Sequence, residues 1–378
     1  MTKLTINKYA AKKIVQGIAV LDARDFPGNT YSEGFAELYF DHQLLSQAYF
    51  SRQNKGIGWA VKSIDFIQLL TDAKNKRQSY AQDTATTAYR VFNQDGDGFG
   101  GMSIDIYEDY ALFSWYNAFI YTLKNEILTA FQIVFPEILG AYEKVRFESK
   151  LPISSHIYGK MAPEKFIILE NGVKYQVFLN DGLMTGIFLD QHEVRGTLLE
   201  HLAAGKDILN LFSYTAAFSV AAAMGGAKST TSVDLAKRSR ELSEAHFKVN
   251  GLALDAHKFH IMDVFEYAKY AARKKLSFDL IVIDPPSFAR NKKMTFSVAK
   301  DYHQLIADAL PILNRHGKII ASTNHARLSR ADFLDELKKG FGTQKFDVIE
   351  TFDLAADFAN NLSDPECDYL KVFVLEVK

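Results

Sequence analysis

The chain has 378 residues, 48% hydrophobic and 24% charged, enough to build two or three packed domains and too apolar for a disordered or low-complexity protein. Lys and Arg total 44 against 45 Asp and Glu, a net charge of −1, so a uniformly basic nucleic-acid binder is excluded and such contact is left to local patches. One cysteine, Cys367, excludes an internal disulfide and a multi-cysteine metal site, and no apolar stretch nears the ~20 residues that span a bilayer.

No metal site and no membrane association are expected. The first residues lack the apolar core of a signal peptide, and a lone thiol fits a reducing compartment, so a cytoplasmic protein is expected. Residues 1–190 show short alternating segments, such as Phe35–Phe40 and Tyr110–Tyr116, that read as half-buried strands. Asp95–Gly101 reads as a glycine loop that needs positive φ. A helix is expected over Thr122–Val134, ended before Pro136. The polar stretch Thr71–Gln82, with Lys74, Lys76 and Arg77, reads as a boundary. The expected organisation is a small β-rich domain at 1–70, a mixed α+β domain at 71–185 and a third domain at 186–378.

From Asp207 onward strand and helix patterns alternate. Strands are expected at Ile208–Tyr214, Ser229–Val233, Lys258–Met262, Leu280–Asp284, Lys318–Ser322, Asp347–Phe352 and Tyr369–Val377. Helices are expected between them at Ala216–Met224, Ala236–Asn250, Ser297–Leu310 and Arg330–Lys339. This alternation predicts an α/β fold with a mostly parallel, doubly wound sheet covered on both faces. Only the loop Asp353–Asp368 joins the last two strands, so the final strand can enter antiparallel.

Open α/β sheets bind ligands at the carboxyl ends of their strands. The loop after the first strand, Phe212–Phe218, lacks G-x-G-x-x-G, which argues against a nicotinamide dehydrogenase. The small residues Ser213, Thr215, Ala216 and Ala217 still allow close backbone approach, and an ordinary helix start explains them equally well. Asp234 lies 20 residues after Tyr214, the spacing at which an acid meets ribose hydroxyls. Asp263 ends the third strand, where it can accept from an adenine amino group. A helix-capping role serves either acid as well. Upstream, Phe188 precedes Gln191 and Arg195, which are four apart and share a helix face. Arg195 can hold a carboxylate or form an ion pair. The fourth strand ends in Asp284-Pro285-Pro286-Ser287-Phe288, where two prolines stop pairing and make the turn rigid.

Thr185–Gln191, Leu209–Thr215 and Asp284–Phe288 together resemble the bacterial 23S ribosomal RNA cytosine-5 methyltransferases. The resemblance is strong over residues 180–378, moderate from Ala88 to Gly101 and weak over 1–70. It implies an N-terminal PUA domain that binds RNA, a middle β-rich domain and a Rossmann-like methyltransferase with a seven-stranded sheet. It also implies S-adenosylmethionine as cofactor, lined by Gln191, Ser213, Tyr214, Thr215, Asp234, Asp263 and Asp284, with ribosomal RNA as partner and a homodimer allowed. Phe188 and Arg195 join that set on the reading above. Ala216 stands where the family has Gly.

The cytosine-5 enzymes end their fifth strand in Ser-Cys-Ser, whereas this chain reads Ser322-Thr323-Asn324-His325. Cytosine C5 needs a thiolate at C6 before it can take a methyl group. Cys367 sits between acids, which disfavour its thiolate, and is expected to be a bystander. The guanine-N7 methyltransferase half of a fused bacterial 23S RNA enzyme is also similar. It ends that strand in Ser-Asn-Asn, and it resembles this chain at Ser229–Asp234 and Asp357–Asn360. Guanine N7 attacks a sulfonium methyl directly, so positioning suffices. Asp284, Pro285, Pro286, Phe288 and Asn324 are therefore the candidate catalytic residues. Phe288 can stack on a splayed base, and Arg290, Lys292 and Lys293 can meet phosphates. Two alternatives stay open: a decayed catalytic domain that only binds RNA, and a methyltransferase of a non-RNA substrate.

Overall fold

The continuous apolar runs after residue 207 form a seven-stranded sheet. Its strands are β1 (Asp207–Leu211), β2 (Ser229–Asp234), β3 (His257–Ile261), β4 (Phe278–Ile283), β5 (Leu313–Thr323), β6 (Phe346–Phe352) and β7 (Lys371–Val377). The order across the sheet is β3-β2-β1-β4-β5-β7-β6. The first five strands pair in parallel, and β7 lies antiparallel between β5 and β6. Register brings the strand ends into line: Leu211 pairs with Ile283, and Ile283 with Ala321.

The strands β1, β4 and β7 are buried on both faces, which is why they read as apolar runs, whereas the edge strands β3 and β6 are half-buried or exposed. Leu209, Ile281, Ile283 and Ile319 join one cluster with Tyr302, Leu305 and Phe333. Ile208, Leu280, Val282 and Ile320 join the other with Phe218 and Ala221. The helices are α1 (Ala217–Met224), α2 (Lys237–Val249), α3 (Val264–Arg273), α4 (Val298–Ala309) and α5 (Arg330–Phe341). Pairing of β1 stops at Leu211, short of the expected Tyr214, because Phe212 turns left-handed at φ 58°.

This computed structural model describes residues 1–26, 28, 31–52, 56–290, 295–364 and 367–378. It divides into two compact units. One comprises Met1–Ile168, Val177–Thr185 and Ala356–Cys367; the other comprises Leu169–Gln176, Gly186–Ala355 and Asp368–Lys378. Among the described residues no helix is long and apolar enough to cross a membrane.

The first unit holds two five-stranded sheets. One is built from Thr2–Thr5, Val20–Leu21, Gly34–Phe40, Gln43–Phe50 and Gly58–Val61; the other from Ala88–Asn93, Met102–Tyr107, Tyr110–Trp115, Gly140–Val145 and Ser154–Gly159. Residues 1–168 and 177–185 thus fall in one unit, whose aromatic core joins Tyr49 and Trp59 to Phe99, Phe113 and Trp115. The stretch expected as a boundary is helical instead, at Phe66–Lys76 and Gln78–Ala81. Leu69, Leu70 and Ala73 face the core, and Arg77 is 1% exposed. Helix also begins earlier than expected near Thr122, with Ala118–Thr122 preceding Lys124–Val134.

The buried Arg77 organises this unit. Its guanidinium donates to both carboxylate oxygens of Asp97, at 2.6 and 2.7 Å, and to the Asp357 carbonyl at 2.9 and 2.7 Å. Asn93 Nδ2 holds the Ala359 carbonyl, and Gly96 is needed because a Cβ there would lie 1.8 Å from that oxygen. In the same loop Gly98 and Gly101 take the positive φ that the sequence predicts, 90° and 93°. Arg77→Ala leaves a buried carboxylate without its bidentate donor, and should lower stability by about 3–5 kcal/mol in denaturant unfolding. A loss under about 1 kcal/mol would mean that Lys76, 2.9 Å from Asp97, neutralises it alone.

Candidate active site

The turn from β1 into α1 is conformationally strained. Phe212, Tyr214 and Ala216 all have positive φ, at 58°, 48° and 60°, although none is glycine. Each such residue costs on the order of 1–2 kcal/mol, and such strain concentrates at functional sites. Ala216, at the position where the resembled family has Gly, is thus a left-handed residue that begins α1 without a side-chain cap.

Hydrogen bonds hold this turn on several sides. Ser213 N donates to the Val233 carbonyl (3.0 Å), and Tyr214 N donates to Asp234 Oδ2 (2.9 Å). Thr215 Oγ1 donates to the Gly186 carbonyl (2.6 Å), while Gly186 N donates to Tyr214 Oη (3.1 Å). Asp234 Oδ1 also accepts from Ala236 N at 2.8 Å. Each carboxylate oxygen has two acceptor sites, so Asp234 can still accept from a diol. Phe188 is 45% exposed, with its ring 5.7 Å from that of Tyr214.

Two expected ligands have other occupations. Arg195 is buried, and its Nε and Nη2 form a bidentate pair with Glu170 at 2.6 Å each; Nη2 also meets the Phe188 carbonyl at 2.7 Å. Of the two roles expected for Arg195 the structure shows the ion pair: the guanidinium binds an internal carboxylate, whose charge raises its pKa despite burial. Asp263 caps α3, with Oδ1 accepting from Phe265 N (3.0 Å) and Glu266 N (3.3 Å).

The ends of β4 and β5 bring the remaining candidates together. Gln191, buried, donates from Nε2 to Ser322 Oγ (2.8 Å) and to Asp284 Oδ1 (3.3 Å). Burial pushes the Asp284 carboxyl up to about 6, helped by the nearby Asp190 charge and opposed by a hydrogen bond from Ser322 and by Arg195. Pro285 is buried and Pro286 exposed. Ser287 Oγ donates to Asn324 Oδ1 at 2.7 Å, linking the two strand exits. Phe288 is 67% exposed, with its ring 6.1 Å from His325. Phe288–Arg290 pairs antiparallel with Thr295–Ser297. Lys292 and Lys293, expected to meet phosphates, lie outside the described residues. Thr323 is fully buried, and its Oγ1 accepts from His325 N at 3.2 Å. Cys367 is buried in the other unit, where its sulfur accepts from Asn361 N. Among the described residues no group of three or more His, Cys, Asp or Glu is arranged to hold a metal.

Over residues 151–369 the chain matches the family of S-adenosylmethionine-dependent methyltransferases. The chain belongs to that family. It is 41% identical, with both chains covered in full, to a Bacillus subtilis (strain 168) protein named "Putative ribosomal RNA large subunit methyltransferase YwbD". It is 31% identical to ribosomal RNA large subunit methyltransferase I of Yersinia pestis bv. Antiqua (strain Angola), over 89% of this chain and 85% of that one. Among solved structures, SMU.776, "a putative methyltransferase complexed with SAH", is 54% identical with a TM-score of 0.95 and full coverage of both chains.

The methyltransferase takes its methyl group from S-adenosylmethionine. Several residues at the strand ends carried no local sequence signal. Glu170 lies in a hairpin 25 residues before Arg195, and Tyr302 on α4 donates to the Ile283 carbonyl, next to Asp284. Asp190, beside the expected Gln191, accepts from Tyr369 Oη at 2.9 Å. The assignment of Arg195 has a direct check. Arg195→Ala should cost about 3–5 kcal/mol of stability by stranding Glu170. A variant that melts like the wild type and only loses cofactor affinity would restore the carboxylate-binding role.

Proposed function

We propose that the protein methylates a base of large-subunit ribosomal RNA by direct transfer, with guanine N7 as the acceptor. The carrying observation is the position that resembles the catalytic thiol of the cytosine-5 enzymes. It is Thr323, buried in the sheet with its hydroxyl engaged by a backbone amide, and the chain's one thiol is buried in the other unit. A base that needs covalent activation has no nucleophile at these strand ends. A base with its own in-plane lone pair needs only orientation. The names of the relatives from Bacillus subtilis and Yersinia pestis support ribosomal RNA as the substrate class.

When bound, S-adenosylmethionine supplies an electrophilic methyl group on a sulfonium. In this reading Asp234 accepts from the ribose hydroxyls, and the small loop Ser213–Thr215 lets the backbone approach the amino-acid end. Phe188 and Tyr214 give an aromatic wall, and Asp263 stands at the adenine edge. Asp284-Pro285-Pro286 forms the floor on which the target base rests, and Phe288 stacks on it. Asn324, its Oδ1 held by Ser287, turns its amide donors to the guanine O6 beside N7. Methylation at N7 leaves positive charge on the purine, which the ionised Asp284 stabilises.

Residues 1–70 serve as the PUA-like RNA contact, 71–185 as the middle domain and 186–378 as the methyltransferase domain. The helix Lys8–Val15 carries no acid, exposes Lys8 and Lys12, and places Tyr9, 57% exposed, under the Arg24 guanidinium at 5.7 Å. Cations interleaved with an aromatic suit phosphate and base contact.

Mass mapping of ribosomal nucleosides from a deletion strain should show the loss of one 7-methylguanosine in the large subunit, restored by the wild-type gene and not by Asp234→Ala. Loss of a 5-methylcytidine instead would overturn the direct mechanism. The pH profile tests Asp284. Its carboxyl titrates near 6 and acts ionised, so kcat/KM should fall as pH drops through about 6. Asp284→Asn should lower the rate and flatten that acid limb, whereas a rate that rises on acidification would show that the neutral acid is the working form.

A further inference from the structure

The strained turn is also held from its far side. The hairpin Phe166–Glu170 and Val173–Val177 precedes the first strand of the sheet, and its second strand meets α2 along one helix face. Asn250, which caps α2, exchanges two hydrogen bonds with the backbone of Lys174, at 2.9 and 2.7 Å. Four residues earlier on the same face, His246 Nε2 lies 2.9 Å from the Gln176 carbonyl. Lys174 and Gln176 alternate along the strand, so His246 and Asn250 fasten α2 to one backbone edge.

His246 alone reaches further. Its Nδ1 lies 3.0 Å from the Thr215 carbonyl, inside the turn between the left-handed residues Tyr214 and Ala216. The ring is 1% exposed and packs edge-on against Tyr175, with centroids 5.4 Å apart. Tyr175 Oη in turn donates to the Ala217 carbonyl at 3.2 Å. One short strand therefore meets two carbonyls around the turn, that of Thr215 through His246 and that of Ala217, the first residue of α1, directly. The ring faces the carbonyls of Gln176 and Thr215, and it donates an N–H to one of them when neutral and to both only when protonated.

We propose that His246 is a positioning residue of the cofactor site: by fastening the Thr215 carbonyl to the hairpin, it holds the left-handed turn that presents Tyr214 and Asp234 to S-adenosylmethionine. This rests on the proposed reading of that turn as the cofactor site. His246 touches none of the residues proposed to contact the base. Its effect is on cofactor binding, and the transfer step is left to the ends of β4 and β5.

Calorimetry with S-adenosylhomocysteine tests this on His246→Phe, which keeps an aromatic ring against Tyr175 and removes both ring nitrogens. Losing one or two hydrogen bonds should weaken binding about 5- to 30-fold. His246→Gln retains one donor and should recover part of that loss. In methylation assays, KM for S-adenosylmethionine should rise by the binding factor while kcat at saturation falls less. Tyr175→Phe removes the parallel bond and should weaken binding about threefold, which keeps the test open if His246→Phe does not fold. Wild-type affinity in His246→Phe, or in both His246→Gln and Tyr175→Phe, overturns the proposal. Asp234→Ala is the reference. If it loses binding while the His246 variants keep it, the positioning role fails and the cofactor site stands; if it too binds like the wild type, the site assignment fails and the positioning role with it.

Discussion

The hydrogen bond from the Tyr214 amide to Asp234 ties two strand ends of the seven-stranded sheet together, and the candidate site is built around that tie. It exists only because the chain leaves β1 through a left-handed residue, Phe212, and stays left-handed at alternate positions to Ala216. An extended exit would carry Tyr214 on along the strand direction, away from Asp234. The sheet supplies the other constraint. Both faces of β1 are buried and both edges are paired, so the chain can turn only at the carboxyl end. Strain of order 1–2 kcal/mol per residue is tolerated there because hydrogen bonds from Ser213, Tyr214 and Thr215 over-determine the turn.

That constraint explains what was legible in the sequence. Strands buried on both faces leave apolar runs, and helices of regular period separate them, so β1 and β4 and the helices α1, α2, α4 and α5 read out nearly in place, while β5 begins five residues before its expected start. The acids at the strand ends were legible for a related reason: a carboxylate following a buried strand is either a cap or a ligand. Which of the two it is depends on where its oxygens point. One oxygen of Asp263 caps α3 and one of Asp234 bonds the turn, and nothing in the local sequence separates the two acids.

What stayed hidden was set by distant partners. Arg195 has the sequence context of a ligand-binding cation, yet Glu170, in a hairpin 25 residues upstream, takes its guanidinium. Arg77 gave a polar stretch the look of a linker, because the sequence does not show that Asp97 and the Asp357 carbonyl meet it in a buried setting. The N-terminal half was the hardest to divide for a similar reason. Short alternating strands announce a sheet with one buried face, not which sheet packs on which. Here Tyr49 and Trp59 of one sheet share a core with Phe113 and Trp115 of the next, across the polar stretch that lies between them in the sequence.

The same strand ends limit the chemistry. A thiol at position 323 would sit on a strand paired with β4 on one side and β7 on the other, one residue before the exit at Asn324. Thr323 instead accepts a hydrogen bond from the His325 amide at its hydroxyl oxygen, which holds the turn. What remains at the edge is an exposed phenylalanine, an asparagine oriented by Ser287, and a carboxylate whose pKa burial has lifted toward neutrality. None of these is a nucleophile toward an aromatic carbon, and together they form a flat surface, a donor and a negative charge. On the proposed reading, a purine that gains positive charge as it is methylated would use all three, whereas a pyrimidine awaiting covalent addition at C6 would find none of them to be its activator.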